Sequence, residues 1–216
     1  MSGSHHILMG GPGATGSGGE GGNQIGEYSS GGKTWKWHKF TSSGTFVWPA
    51  TGAVDILVVA GGGGTAHSLY HNGGGGGGGV LHATDYNLGA GSYSITVGNG
   101  GAGGTHASNG GGNPRPAPYN NGGGDTPGYQ GQPSSFGSIA TAYGGGYGGT
   151  WDATAGGHGG SGGGGWENGA GGRLGGQAIT SGVPSGFTRY GNDGHAGSTA
   201  SEWGAGGGGG ATESGS

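Results

Sequence analysis

Several strings in this chain carry residue types that do chemistry elsewhere, and each of them lies in or beside a glycine tract. Gly98 to Gly103 satisfies the dinucleotide-binding spacing and comes directly after an expected strand. That fingerprint also needs a helix whose N-terminus holds the pyrophosphate. The chain continues instead as Gly104-Thr-His-Ala-Ser-Asn, so the match reads as chance in a glycine tract. Gly31-Gly32-Lys33-Thr34 resembles the end of a phosphate-binding loop, but Glu27 stands where the first glycine belongs, and a carboxylate there would repel phosphate. It reads instead as a loop leading into a strand at Trp35. Gly159 to Gly163 matches the nucleophile-elbow string around Ser161, yet no strand precedes the serine and no helix comes after it. His67 and His71 stand four apart, the spacing of two metal ligands on one helical face, but glycine runs on both sides disfavour a helix. A loop with two incidental histidines is the plainer reading, with a weak transition-metal site as its alternative. The ten carboxylates form no close pair of the kind glycoside hydrolysis uses. No enzyme, no cofactor and no metal centre is therefore expected.

The residues best suited to recognition are aromatic side chains and arginines on the segments between glycine runs. Aromatic rings stack on sugar rings or partner side chains, and arginine forks onto carboxylate or phosphate. The candidates are Tyr70, His71, Arg115, Tyr119, Tyr129, Trp151, Trp166, Arg189 and Tyr190. Tyr143, Tyr147, Phe187 and Trp203 divide between packing and binding, whereas Trp35, Trp37, Phe40, Phe46 and Trp48 occupy strand positions and are expected to pack the core.

What must position these residues is a chain in which 71 of 216 residues are glycine, so side-chain burial alone cannot supply the usual core. Collagen needs glycine at every third position and about 15–20% imino acid. Eight prolines and runs such as Gly73 to Gly79 exclude it. A flexible linker or disordered tail fits poorly with six Trp, nine Tyr and four Phe against only 7% charged residues. The remaining solution is extended glycine helices with three residues per turn and no internal hydrogen bonds, packed so that each pairs its backbone groups with its neighbours. That solution is a polyglycine II bundle.

Strands are expected beside it. Trp35 and Trp37 alternate with Lys36 and His38, Thr45 to Trp48 is a short strand, Val54 to Ala60 is a continuous apolar run, and Val80 to Ala83 and Ser92 to Val97 complete the set. The fold expected is mainly β and irregular: a small antiparallel β unit over 33–100, interleaved with a polyglycine II bundle and its loops over 98–216, with essentially no α-helix. Residues 1–32 read as an irregular Gly/Ser-rich arm.

A net charge of −4 with six scattered Lys and Arg argues against a nucleic-acid partner, and the longest aliphatic stretch is too short to span a bilayer. Met1 to Met9 lacks the basic start and apolar stretch of a secretory signal, which suggests release by lysis or assembly into a particle.

Trp48 to Gly52, Val54 to Ala60 running into Gly61 to Gly64, Gly73 to Ala83, Leu88 to Gly101 and Ser134 to Ser138 together resemble a glycine-rich domain of bacteriophage tail fibre and tail-tip proteins. A similar order of strand, glycine run and strand is found in the extracellular region of the anaplastic lymphoma kinase family. The absence of cysteine and of an export signal sets the chain apart from that animal version. The resemblance covers roughly 34–149. The alternation of glycine runs and variable segments after Gly98 is similar in organisation to the adhesins of T-even-type phages. It implies a virion protein, exposed on the particle and outside the cell after host lysis, presenting loops to a bacterial surface glycan or outer-membrane protein. Other virion proteins would be its partners, and the trimeric habit of phage fibres would extend to it. A purely architectural virion protein (decoration, cement or fibre subunit) is the second reading, and an ice-binding protein the third.

Overall fold

The computed structural model describes residues 7–12, 18–67, 72–105, 127–150, 155–166, 174–198 and 204–213. Its strands are β1 (Ile7–Pro12), β2 (Gln24–Ser30), β3 (Lys33–Phe40), β4 (Gly44–Trp48), β5 (Gly52–Val59), β6 (Val80–Leu88), β7 (Gly91–Thr96), β8 (Ser134–Phe136), β9 (Ala140–Ala142) and β10 (Thr188–Tyr190). They form two antiparallel sheets, one in the order β10-β6-β5-β1-β3-β2 and one in the order β4-β7-β8-β9. No helix occurs among the described residues. The expected mainly β architecture is what the chain adopts.

Alternation along the strands decides what lies between the sheets. Phe40, Val54, Ile56, Val58, Leu81 and Ala83 of the large sheet meet Phe46, Ile95, Phe136, Ala140 and Ala142 of the small one in a single buried cluster. Phe46 is its hub, with ring contacts to His38, Phe40, Trp48 and Phe136. Phe187 joins the core through Tyr86, 5.4 Å away centroid to centroid.

Three sequence expectations are corrected by the structure. The stretch 1–32 is not an irregular arm throughout: β1 is inserted between β5 and β3, and β2 forms a hairpin with β3. Gly31 and Gly32, with φ of 60° and 73°, make the two-residue turn of that hairpin, the left-handed pair that matches strand twist. Second, the β unit is not confined to 33–100, since β8, β9 and β10 come from later in the chain. Third, β3 faces the other way. His38 and Phe40 are buried on the core side, with Lys36 in the same parity, while Trp35 and Trp37 stand on the outer face. The inward polar pair is accommodated by a strap, residues 18–23. Lys36 Nζ donates to the Gly18 and Gly19 carbonyls at 3.0 and 3.3 Å, and His38 Nδ1 donates to the Gly21 carbonyl at 2.7 Å. Glu20 and Val47 exchange both backbone bonds, so the strap extends the small sheet beyond β4.

The glycine runs leave the sheets as a bundle whose hydrogen bonds recur every third residue. Ala60, Gly63 and Ala66 donate to Gly79, Gly76 and Gly73, donor numbers rising by three as acceptor numbers fall by three. Gly74 and Gly77 donate to Gly206 and Gly209, both rising together. A neighbour met once per three residues is the polyglycine II repeat, antiparallel in the first pair and parallel in the second.

The buried run 161–165 shows the packing in full. It donates from Ser161 and Gly164 to Gly77 and Gly74, from Gly162 and Gly165 to Asn192 and His195, and from Gly163 to Gly157. It accepts from Gly146 and Gly149, from Gly209 and Gly206, and from Gly176. Each face of the three-fold repeat thus meets one donor neighbour and one acceptor neighbour. This close approach leaves no room for side chains: a Cβ on Gly162 would lie 1.7 Å from the Gly176 carbonyl oxygen, and one on Gly163 1.9 Å from that of Tyr147.

Candidate functional site

Hydrogen-bond direction shows where the bundle opens. The segment 60–66 continues β5 away from the sheets and 73–79 returns into β6. Parallel pairing with an outgoing segment marks 101–104, 145–148, 161–164 and 192–195 as outgoing too, while 129–132, 157–160, 174–177 and 204–210 run back. The chain therefore makes five out-and-back excursions. Their far ends are tied together: Ala66 donates to Gly73, Gly73 to Gly149, Gly149 to Gly164, Gly165 to His195, Ser198 to Gly204 and Gly104 to Thr65. The described residues that flank 68–71, 106–126, 151–154, 167–173 and 199–203 lie at this common end of the bundle, opposite the sheets.

The nine recognition candidates distribute unevenly over this frame. Tyr70, His71, Arg115, Tyr119 and Trp151 fall outside the described residues, in stretches bounded by the far end. Tyr129 lies on the returning segment 129–132, where its carbonyl accepts from Gly64, and its side chain is about half exposed. Trp166 lies at the outer limit of the buried central run, but at 8% exposure its ring is packed and offers little surface to a partner.

Arg189 and Tyr190 are not on a loop at all. They belong to β10 at the edge of the large sheet, at the opposite end of the molecule. Arg189 is opposite Leu81, on the inward side, where its guanidinium donates to the Gly160 carbonyl at 3.3 Å. It braces the bundle against the sheet, which corrects its placement on a loop. Tyr190 is opposite Val80, in the same parity as His82, and faces outward.

The enzyme-like strings are absorbed by the scaffold. The Gly98 to Gly103 region is an extended segment whose amide groups serve neighbouring glycine runs, as Gly101 does to the Gly62 carbonyl. Ser161 is fully buried and its hydroxyl donates to the Gly210 carbonyl at 3.2 Å. Among the described residues no three His, Asp or Glu side chains gather as a metal site, and no helix is long and apolar enough to cross a membrane.

One feature escaped the sequence reading. The outer face of the large sheet carries a groove of about 350 Å³ lined by Tyr28, Trp37, Asp55, Leu57, His82 and Tyr190. Its residues come from β2, β3, β5, β6 and β10, far apart in sequence. The alternation of Trp35 and Trp37 was the only local signal, and it pointed to the core.

The chain belongs to the glycine-rich domain family, which it matches over residues 41–216. That span includes β4 onward and the entire bundle, well beyond the strand strings that first suggested a glycine-rich domain. No curated protein and no solved structure matches it.

Proposed function

We propose that this chain is a non-enzymatic phage virion protein, a tail fibre or tail-tip component whose bundle presents recognition segments to the host surface. The observation that supports it is the common far end. In all five excursions the described residues at which the outgoing run stops and the returning run begins lie at one end of the bundle, and the sequences between them are of non-uniform length and composition, while the sheets occupy the other end. A rigid support that gathers variable segments is how recognition is commonly separated from stability.

The rigidity has a physical source. Glycine in free chain has more backbone freedom to lose than any other residue, but in this bundle each buried run is held by neighbours on all sides. The far-end segments are thus displayed from a fixed base, which lowers the ordering cost of binding. Tyr70, His71, Arg115, Tyr119, Tyr129 and Trp151 are the residues assigned to contact, with rings stacking on glycan or protein and Arg115 forking to carboxylate or phosphate. Trp166 is assigned to hold the base of its excursion.

Alanine substitutions pooled over Tyr70, His71, Arg115, Tyr119, Tyr129 and Trp151 are expected to abolish adsorption of particles to host cells while particle assembly is unchanged. Unaltered adsorption by intact particles carrying the pooled variant would refute the reading.

A further inference from the structure

We propose that the groove on the outer face of the large sheet is a binding site for an extended pyranose oligosaccharide lying across the strands. The proposal stands apart from the reading of the bundle's far end, because the groove lies on the sheet that the bundle leaves behind.

The groove is built by the absence of side chains as much as by their presence. In the register of the sheet, Gly10 of β1 stands between Trp37 of β3 and Asp55 of β5, so a trough separates the two. Across from Trp37, β2 carries Gly26, where a Cβ would lie 2.6 Å from the indole ring. The ring can therefore lean over β2 and leave the trough open. Tyr28, next on the same face, is about half exposed and stacks at 6.2 Å on Trp35, which extends the aromatic floor on this side. Tyr190 stands at the far margin of the groove on β10, 40% exposed.

The middle of the groove is polar. His82 and Asp55 lie between the aromatic margins, with Leu57 beside them. Asp55 is held in place: its Oδ1 accepts the Asp85 amide at 2.9 Å, at a bulge where the β5–β6 register shifts between Val54 and Ile56. Asp85 adopts a φ of 51°, the left-handed conformation that Asp tolerates better than most residues other than glycine. Bulges that re-aim a side chain recur beside functional sites.

The arrangement selects among ligand classes. A quaternary ammonium or lysine side chain is bound by rings closed around one point. Here Tyr190 comes from one edge of the sheet and Trp37 and Tyr28 from the other, with β6, β5 and β1 between them, so the rings mark two margins of a trough rather than a cage. An extended ligand with apolar faces at its ends and hydrogen-bonding groups at its centre fits that order. Sugar hydroxyls both donate and accept, and would find a carboxylate, an imidazole and phenol hydroxyls; the C–H faces of the rings would stack on Trp37, Tyr28 and Tyr190. A volume near 350 Å³ is at the lower end of small-molecule sites, as suits an open groove.

The test is a glycan array of pyranose oligosaccharides probed with the fluorescently labelled full chain, followed by calorimetric titration of the strongest-binding glycan. Trp37→Ala and Tyr190→Ala are each expected to weaken binding at least tenfold, Trp37→Phe to retain most of it, and Leu174→Ala, an exposed position on a returning run of the bundle, to leave it unchanged. Tyr190 lies on a short edge strand, so its variant keeps the test open if Trp37→Ala fails to fold by circular dichroism. An array with no binding above background, or binding that survives both Trp37→Ala and Tyr190→Ala at full strength, would overturn the proposal.

Discussion

The sheets and the glycine bundle bury backbone and side chains in opposite proportions. In the sheets, Phe40, Phe46, Ile56, Val58 and Phe136 fill the space between two layers, and the backbone pairs only sideways. In the bundle, a run such as 161–165 pairs in all three directions of its repeat, and the space between neighbours is filled by carbonyl oxygens and amide groups. The first arrangement depends on side-chain volume, which can be traded among apolar residues with modest loss. The second depends on there being no volume to trade. The same methyl group should therefore have very different effects in the two regions.

The largest effect is expected from Gly162→Ala. The added Cβ would overlap the Gly176 carbonyl, and moving that carbonyl breaks bonds that satisfy buried groups on several runs. Overpacking at about 1–3 kcal/mol together with an unsatisfied buried polar group at about 1–3 kcal/mol puts the loss on the order of 4 kcal/mol, measurable by denaturant unfolding. Gly62→Ala is its internal control. The nearest atom to a Cβ there is 3.6 Å away, an ordinary contact, so the change should stay within about 0.5 kcal/mol. Equal losses at the two positions would break the comparison, because they would mean that glycine content rather than close approach stabilises the bundle.

In the sheet core, Ile56→Val removes a methylene from a fully buried side chain and should cost about 0.5–1.5 kcal/mol. A loss matching that of Gly162→Ala would erase the contrast from the other side.

The smallest expected effect is a pH dependence confined to the sheet half. Burial lowers the pKa of His38 from the usual 6.5, opposed by its bond to the Gly21 carbonyl and reinforced by the charge of Lys36. Because a carbonyl can only accept, Nδ1 carries the proton, and Nε2 is buried with no hydrogen-bond partner among the described residues. The unfolded chain takes up a proton at higher pH than the folded one. The contribution of His38 is therefore complete above about pH 6.5 and declines as pH falls towards the lowered folded value. His38→Gln, which keeps a donor for Gly21 but does not titrate, should flatten this part of the stability profile. A profile unchanged by His38→Gln would remove the strap contact from the sources of acid sensitivity.

Much of the fold was legible in residue types, and the places where reading failed share one cause. The strands at 33–40, 44–48, 52–59, 80–88 and 91–96 carry apolar alternation or continuous aliphatic runs, and all five are legible in the sequence with somewhat different bounds. Strand β1, with the sequence Ile-Leu-Met-Gly-Gly-Pro, has no alternation, and β10 is three residues long. Both are strands because of the neighbours that pair with them. The parity of β3 could not be read either, since Trp35 and Trp37 are the larger apolar residues. Lys36 and His38 turn inward only because the carbonyls of Gly18, Gly19 and Gly21 are there to receive them. The recognition candidates are each legible singly, as aromatic, histidine or arginine side chains between glycine runs. Their division between the far end, the central run and the sheet face depended on the direction in which each excursion travels.

The sequence by itself determined that the backbone would be the packing material. Long runs with no Cβ can satisfy their amide and carbonyl groups only by meeting one another, so the three-residue repeat is a consequence of composition. Which run meets which was decided by tertiary structure alone. Glycine carries no side chain to encode a partner, and 161–165 lies at the centre through the backbone pairs it makes with 74–77, 146–149, Gly157, Gly176, 192–195 and 206–209. The groove had the same origin: six side chains from five strands, joined by a register that no local stretch of sequence contains.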